Sequence, residues 1–551
     1  MIRNHEVGAL RRATALAAVL ALGGEARAMT FQTDNVSGNF DSTVSFGLGI
    51  RTKSPDCTLI TAGATGDGAP AGCLSPTAGL GDQGDLNYGR GDLFALQLKG
   101  SHELLLKFPE DWTFMARANW VRDFAATQTT GIQSATTPPG LQDDLAPDAR
   151  RDLAFKARML DLWVSKSFAL GDQTARVRVG NQVISWGESL FLPGGINSTN
   201  ALDIMRLSQP GTQLKEAVLP APIASFATGL GHGVTTEAYY QFKYNEDYLP
   251  PTGSYWSSVN GIGRGHDEYG LVDVKARDAG QWGLSLRYQP EGTPLNLGLY
   301  AMNYHDKLPN FSYDIHGSGL AGWTYAEDRK LFGISANFPV GDWAIGTELS
   351  YRPRDAVSLN IASGCASQGG NCWVDEKKLQ WHLTGILSLS PSGTGGDFLH
   401  LIHADTATLL AEAVVVHYGG LKSAYGGDPI AAGAWNWGLQ TDPSGTPVSK
   451  GTPTSSGINA DFSVTYDGSL IPGWQVVPEI YYFRAVSGRT PNLAAQFMQG
   501  AQSANFTVSF IQNPAQWQFA LNYAAFWGGS AVYDQPYRDR NFVGAVLSRN
   551  F

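Results

Sequence analysis

Apolar and polar residues alternate with period two along nearly all of the chain beyond residue 28. From Trp343, one face carries Trp343, Ile345, Thr347, Leu349 and Tyr351, and the other Ala344, Gly346, Glu348, Ser350 and Arg352. Trp474 to Arg484 sets Val476, Ile480 and Tyr482 against Gln475, Glu479 and Tyr481. Val234 to Tyr244 sets Ala238, Tyr240, Phe242 and Tyr244 against Glu237, Gln241 and Lys243. Segments of this kind are strands with one apolar and one polar face. Read along the chain, the pattern predicts about eighteen strands, the range being about 16–18. Alternation alone does not distinguish a soluble sandwich from a membrane barrel, because both bury one face of each strand.

Three features decide for a transmembrane antiparallel β-barrel. Connections alternate between tight turns, such as Pro109-Glu110-Asp111, Gly171-Asp172-Gln173 and Gly341-Asp342, and long Gly/Ser/Pro/Asp-rich loops such as 52–91, 125–154 and 246–281. Short periplasmic turns and long extracellular loops are the pattern of an outer-membrane barrel. Trp112, Trp343, Trp474 and Trp517 each open the strand that follows a short turn, so all four fall at one rim, as an interfacial girdle requires. Trp282 follows a long loop and belongs to the opposite rim. The last strand alternates Val543, Ala545 and Leu547 toward the terminal Phe551, and such an end resembles the signal read by the barrel assembly machinery.

Composition agrees. The chain has 551 residues, 65 of them glycine, with 16% charged and 11% aromatic residues. The scarcity of charge argues against an array of soluble helical domains, and the aromatics argue against disorder. Past the start there is no apolar run of the ~20 residues that a membrane helix needs. A net charge of −10 gives no electrostatic ground for nucleic-acid binding. Arg3, Arg11 and Arg12 precede the apolar stretch from Ala13 to Leu22, and Ala26-Arg27-Ala28 follows. That is the layout of a secretory signal peptide, which assigns residues 1–28 to a cleaved leader and 29–551 to one barrel in the bacterial outer membrane, in contact with its lipids. Cys57, Cys73, Cys365 and Cys372 form two sequence-local pairs in loop-like stretches. In an exported protein this favours two staples, Cys57–Cys73 and Cys365–Cys372, over zinc ligation, since no His flanks either pair.

With the apolar set facing lipid, the opposite set lines the lumen. It includes Lys99, Glu103, Arg117, Asp161, Arg176, Arg178, Glu237, Lys243, Arg287, Glu348, Arg352, Glu412 and Glu479. Both signs are mixed, so no single-sign rail stands out. Leu105, Trp163, Tyr239, Tyr300, Tyr304 and Phe483 alternate with these charges and make the lining amphiphilic. A barrel of this size is wide enough for an aqueous channel. G-x-S-x-G, H-E-x-x-H and P-loop motifs are absent, and no G-x-G-x-x-G stands in a strand-turn-helix context. His400, His403 and Asp405 have a spacing that could hold a metal, but they follow a turn, where interfacial histidines are the simpler reading. No catalytic residue, cofactor or metal is expected.

One stretch departs from period two. It runs Gly180-Asn181-Gln182-Val183-Ile184-Ser185-Trp186-Gly187-Glu188-Ser189, then through Ile196-Asn197, Asp203, Pro210-Gly211 and Lys215-Glu216 to Pro220. Residues 198–207 suit a short helical turn capped by Ser198 or Asn200. A moderately apolar loop between barrel strands either folds inward over 188–220 and narrows the lumen, or packs on the rim. The motif G-x-Q-x-x-x-W-G-E-S, the following I-N-x-x-x-x-x-D and the later P-G-x-x-x-K-E resemble the domain-of-unknown-function 1302 (DUF1302) family of Gram-negative outer-membrane proteins. The resemblance spans essentially the whole mature chain and implies a porin-like barrel. It also implies gene neighbourhoods shared with a periplasmic lipid-carrier-like protein and an inner-membrane transporter, and hence traffic of hydrophobic compounds or lipids. Trp186, Gly187, Glu188, Asn197, Asp203, Pro210, Gly211, Lys215 and Glu216 carry over as motif positions, with a Glu188–Lys215 pair as one way to fix an inward loop. The function expected is a porin-like conduit for hydrophobic or amphiphilic compounds or lipids; the alternative is a docking barrel of a trans-envelope assembly without an open pore.

Overall fold

The structure is a computed structural model that describes residues 29–60, 64–65, 81–138, 140–141, 144–209, 212, 214–433, 450–531 and 534–551. The expected leader, Cys73, Pro210 and Gly211 lie outside the described residues, as does the expected Cys57–Cys73 staple.

The alternating segments form the expected strands. In chain order they are β1 (Ser37–Arg51), β2 (Leu93–Phe108), β3 (Trp112–Asp123), β4 (Phe155–Leu170), β5 (Gln173–Gln182) and β6 (Ala221–Gly231). Next come β7 (Val234–Gln241), β8 (Gln281–Tyr288), β9 (Asn296–Tyr304), β10 (Arg329–Val340), β11 (Trp343–Ser358) and β12 (Trp373–Leu389). The last are β13 (Thr406–Tyr418), β14 (Thr454–Ile471), β15 (Trp474–Ser487), β16 (Ala501–Gln512), β17 (Trp517–Gly528) and β18 (Phe542–Asn550). Each pairs antiparallel with its sequence neighbour, and β18 returns to β1 with Thr43 opposite Asn550, so the 18 strands close into a barrel. Closure removes the free edges that would leave backbone N–H and C=O groups unpaired in lipid. A short strand, Met29–Gln32, pairs with the start of β1. No helix of the described residues is long and apolar enough to cross a membrane.

The two ends differ. At one end the connections are tight: Glu110 and Asp111 take φ of 58° and 60°, the left-handed pair that suits a two-residue hairpin. The longest connection at that end, between β12 and β13, carries the short helix Gly396–Ile402, which holds His400 and ends at His403. Among the described residues no three metal-ligating side chains group there or elsewhere. The other end carries the long loops, and there Tyr255, Trp256 and Trp323 are buried against barrel strands. Cys365 and Cys372 form the expected disulfide in this loop layer, with Cα atoms 5.2 Å apart.

The wall has the expected polarity. Phe155, Met159, Leu299, Phe332, Ile334 and Phe506 stand exposed on the outside, a belt that only lipid can cover at low cost. Trp112 is exposed at the short-turn rim and Trp282 at the long-loop rim. Arg549, beside the chain end, sits 5.1 Å over the Trp517 ring and 4.9 Å over Phe551. Two expected positions differ. The alternation of β7 stops at Gln241, whose amide turns back to the Lys243 carbonyl at 2.7 Å. Lys243 therefore lies beyond the strand, exposed rather than on the lumen wall. Tyr244 leaves the lipid face and is buried beside His305 and Tyr325.

Candidate functional site

The connection between β5 and β6 enters the barrel, crosses the lumen and returns to the wall. Its first anchor is Trp186, whose Nε1 donates to Glu237 on β7 at 2.8 Å. The Trp186 ring packs 5.2 Å from Tyr239 and 5.8 Å from Tyr300. Ile184, Ile196, Ile223, Met302 and Leu331 complete the buried cluster between loop and wall. Tyr239 and Tyr300 thus face the lumen, as expected, but the loop covers them.

The far side of the loop is held by carboxylates that receive backbone N–H groups. Glu348, on β11, accepts from Glu188 N at 2.6 Å and from Ile196 N at 2.9 Å. Glu412, on β13, accepts from Phe191 N at 2.6 Å and Leu192 N at 2.9 Å. Its other oxygen meets His382 Nδ1 at 2.7 Å, with both side chains fully buried. Gln380 Nε2 donates to the Pro193 carbonyl at 3.1 Å and faces His382 Nε2 at 2.9 Å, which makes Nε2 an acceptor and leaves Nδ1–H to donate to Glu412. Arg352 donates to the Gly194 carbonyl and, at 2.5 Å, to Ser198 Oγ. A loop inside a barrel has no sheet partner for its backbone, and buried N–H groups need acceptors. The ionised side chains of the wall provide them, and such bonds are the stronger kind.

This arrangement explains the Trp-Gly-Glu motif. Gly187 has φ of +90°, and a Cβ there would lie 2.3 Å from Glu348 Oε2. At Gly195 the same addition would meet Glu348 Oε1 at 1.8 Å. Glycine is needed at both points for the carboxylate to reach the backbone. Glu188 accepts from Asn337 Nδ2 at 3.1 Å. The expected Glu188–Lys215 pair does not form: Lys215 Nζ lies 3.7 Å from Glu103, on the wall where the loop returns. The separation has a simple cause, since Glu188 docks on β10 and β11 while Lys215 belongs to a helical turn, Leu214–Ala217, that leads into β6.

The other motif residues fix the return. Asn200 donates to the Ile184 carbonyl and to Asn197 Oδ1, both at 2.5 Å, tying the loop base together. The helical turn is Ile204–Leu207, and its cap is Asp203, whose Oδ1 accepts from Arg206 N at 2.8 Å, rather than Ser198 or Asn200. Asp203 also pairs with Arg158 of β4. Glu216 is buried and attracts the charge of Lys99.

The remaining lumen charges fall into groups. Arg117 bridges Glu103 and Asp161, each at 2.9 Å. Arg178 stacks 4.3 Å over Trp163. Arg176 and Arg287 line a cavity of about 340 Å³ on the short-turn side of the loop, together with Thr174, Glu237 and Ser285. Glu479 shares a hydrogen bond with Asp461 on the opposite wall. Gln380, His382 and Asp461 are absent from the expected lining, although register sets His382 opposite Glu348 and parity puts Asp461 on the face of Glu479. Lumen exposure is uneven: Arg176, Thr235 and Arg287 are exposed toward the short-turn end, whereas Phe94, Met302, Arg352 and Phe542 are buried toward the loops.

These features define a class: a closed antiparallel β-barrel with an inward loop held across its lumen on wall carboxylates. Residues 9–551 match the family described as "Protein of unknown function (DUF1302)", and the chain belongs to that family. No curated protein matches it. Among solved structures, the chain is similar to Acinetobacter baumannii OccAB1, at 12% identity and a TM-score of 0.42, covering 96% of this chain and 99% of that one. It is similar to Pseudomonas aeruginosa OpdK with vanillate at 10% identity and TM-score 0.39, covering 93% and 98%. Similarity to the Salmonella typhi OmpF complex with daunomycin is 8% identity at TM-score 0.37, covering 95% and 100%.

Proposed function

We propose that this chain is an outer-membrane, porin-like conduit for hydrophobic or amphiphilic compounds or lipids, with the short-turn end in the periplasm. The observation that carries the reading is the inward loop. It is bonded to the wall at Glu237, Glu348 and Glu412 and packed against it around Trp186, and so narrows a water-exposed lumen with an element that side-chain contacts alone hold. The lining supports the solute class: Arg178 on Trp163 and Phe191 5.5 Å from Tyr481 set charge beside aromatic surface. A vestibule open at the short-turn end suits delivery to or from a periplasmic lipid-carrier-like protein, itself working with an inner-membrane transporter. Release of a trapped amphiphilic dye from liposomes carrying the folded protein tests this; leakage no faster than from protein-free liposomes contradicts it.

One observation favours a second reading. The loop-side half of the lumen is filled by side chains such as Phe94, Trp256 and Phe542. A barrel sealed there would serve as the outer-membrane anchor of a trans-envelope assembly. Co-purification with inner-membrane and periplasmic partners, with no solute passage, distinguishes it.

A further inference from the structure

The lumen wall between β4 and β8 holds a cluster that the loop touches only through Glu237, bonded to Trp186, and Arg287, bonded to Ser185. Cross-strand register places Ser167, Arg176, Ala227, Glu237 and Ser285 in one row across five strands. The next row toward the short turns carries Gly229, Thr235 and Arg287. The small residues Ala227 and Gly229 leave a hollow between the two arginines, which is the cavity of about 340 Å³. Arg178, held over Trp163, stands one row deeper.

Charge around this hollow leans positive, with Arg176, Arg178 and Arg287 set against Glu237 and, on the loop, Glu188, which Arg287 attracts. Among the described residues neither Arg176 nor Arg287 forms an ion pair, and Arg287 donates a long 3.4 Å hydrogen bond to the Ser185 carbonyl. Glu237 is the one carboxylate lining the cavity, and its Oε2 already accepts from Trp186. Asp461 and Glu479 face the lumen from β14 and β15, halfway round the ring from β5. An anion in the lumen is therefore repelled from one side and drawn to the other. Guanidinium groups flanked by hydroxyls match the geometry of a carboxylate or a phosphate.

We infer that Arg176 and Arg287, with Ser167, Thr174 and Ser285, form a binding site for the oxyanion group of a carried solute, reached from the short-turn end. Its place in transport rests on the conduit reading, but binding is measurable without it. The test is calorimetry on the full-length barrel in a non-ionic detergent, titrated with benzoate, with inorganic phosphate and with tetramethylammonium. Benzoate, phosphate or both bind the wild-type protein, and tetramethylammonium does not. Arg176→Gln and Arg287→Gln each weaken binding roughly tenfold or more, the usual loss for a charged hydrogen-bond partner. Both side chains are water-exposed, and unchanged heat-modifiable migration confirms that the variants are folded. Benzoate binding alone identifies carboxylates, and phosphate binding alone identifies phosphorylated headgroups. Binding of neither anion by the wild type, or equal binding by both variants, overturns the site. A barrel that binds anions but passes no solute keeps the site and removes the conduit; one that passes solute but binds neither anion removes the site alone.

Discussion

Replacing Glu348 by glutamine tests how the inward loop is held. The wild-type carboxylate receives Glu188 N–H at 2.6 Å on one oxygen and Ile196 N–H at 2.9 Å on the other. Glutamine keeps one oxygen and turns an NH₂ group toward the second N–H. The lost charge-assisted bond is worth ~1.5–3 kcal/mol, and a buried donor left facing a donor adds ~1–3 kcal/mol. Glu412 and Arg352 still hold the loop, so local release is set near the lower end of the combined range, at about 3 kcal/mol. That raises the population of the displaced loop by roughly a hundredfold, at about 1.4 kcal/mol per factor of ten. Hydrogen exchange read by mass spectrometry on peptides covering 186–199 measures it, because exchange through local opening follows the open population. Exchange there should accelerate by roughly a hundredfold in Glu348→Gln. The control Glu479→Gln, which removes a lumen carboxylate that touches no loop amide, should leave it unchanged. If Glu348→Gln exchanges within about threefold of wild type, the carboxylate anchors do not hold the loop.

Gly187→Ala should be at least as disruptive, since its Cβ meets Glu348 Oε2 at 2.3 Å and its φ is +90°; the same exchange experiment reads it, with a loss of about 1–3 kcal/mol. The loops should tighten in acid. Burial pushes Asp247 up to about 7, against the hydrogen bond from Leu202 N, and burial likewise holds Asp306 at about 6. A carboxyl raised in the fold contributes stability that is fully present below its ordinary range and is lost as pH rises through the raised value. His266 acts in the same sense: burial lowers its pKa, but the hydrogen bond and charge of Asp273 outweigh burial and raise it, so its contribution also fades above its ordinary range. Protease nicking of the loops should therefore be slower at about pH 5 than at about pH 8, and the reverse order would contradict these assignments. Reduction of the buried Cys365–Cys372 bridge should raise nicking within 359–373, while leaving barrel migration on gels unchanged.

The barrel was legible because its determinants are local. Period-two alternation and the turn residues Glu110-Asp111 lie within a few positions of the strands they define, and Trp112, Trp343, Trp474 and Trp517 mark one rim through the same register. Parity fails at bulges and at strand ends: in β4 a register shift moves the outward face from Phe155 and Met159 to Leu162 and Val164, and nothing near Tyr244 announces that Gln241 turns back to Lys243, so alternation runs three residues too far. The inward loop was legible as a break in periodicity but its fastening was not. The acceptors for Glu188, Phe191 and Ile196 lie 160, 221 and 152 residues away. A Glu188–Lys215 pair looked natural because both residues belong to one motif, yet the loop's span sends them to different walls. The arginine hollow was equally hidden, since Arg176 and Arg287 become neighbours only through the pairing of β5 to β8. In sequence they look like two among many mixed charges.

The most direct test of the central claim is the current through the purified, folded protein in a planar lipid bilayer. A water-filled barrel narrowed by this inward loop should give discrete, small conductance steps in wild type and larger or noisier steps in Glu348→Gln. Folded protein that inserts but carries no current above the bare bilayer, in both wild type and Glu348→Gln, would contradict a conduit gated by this loop.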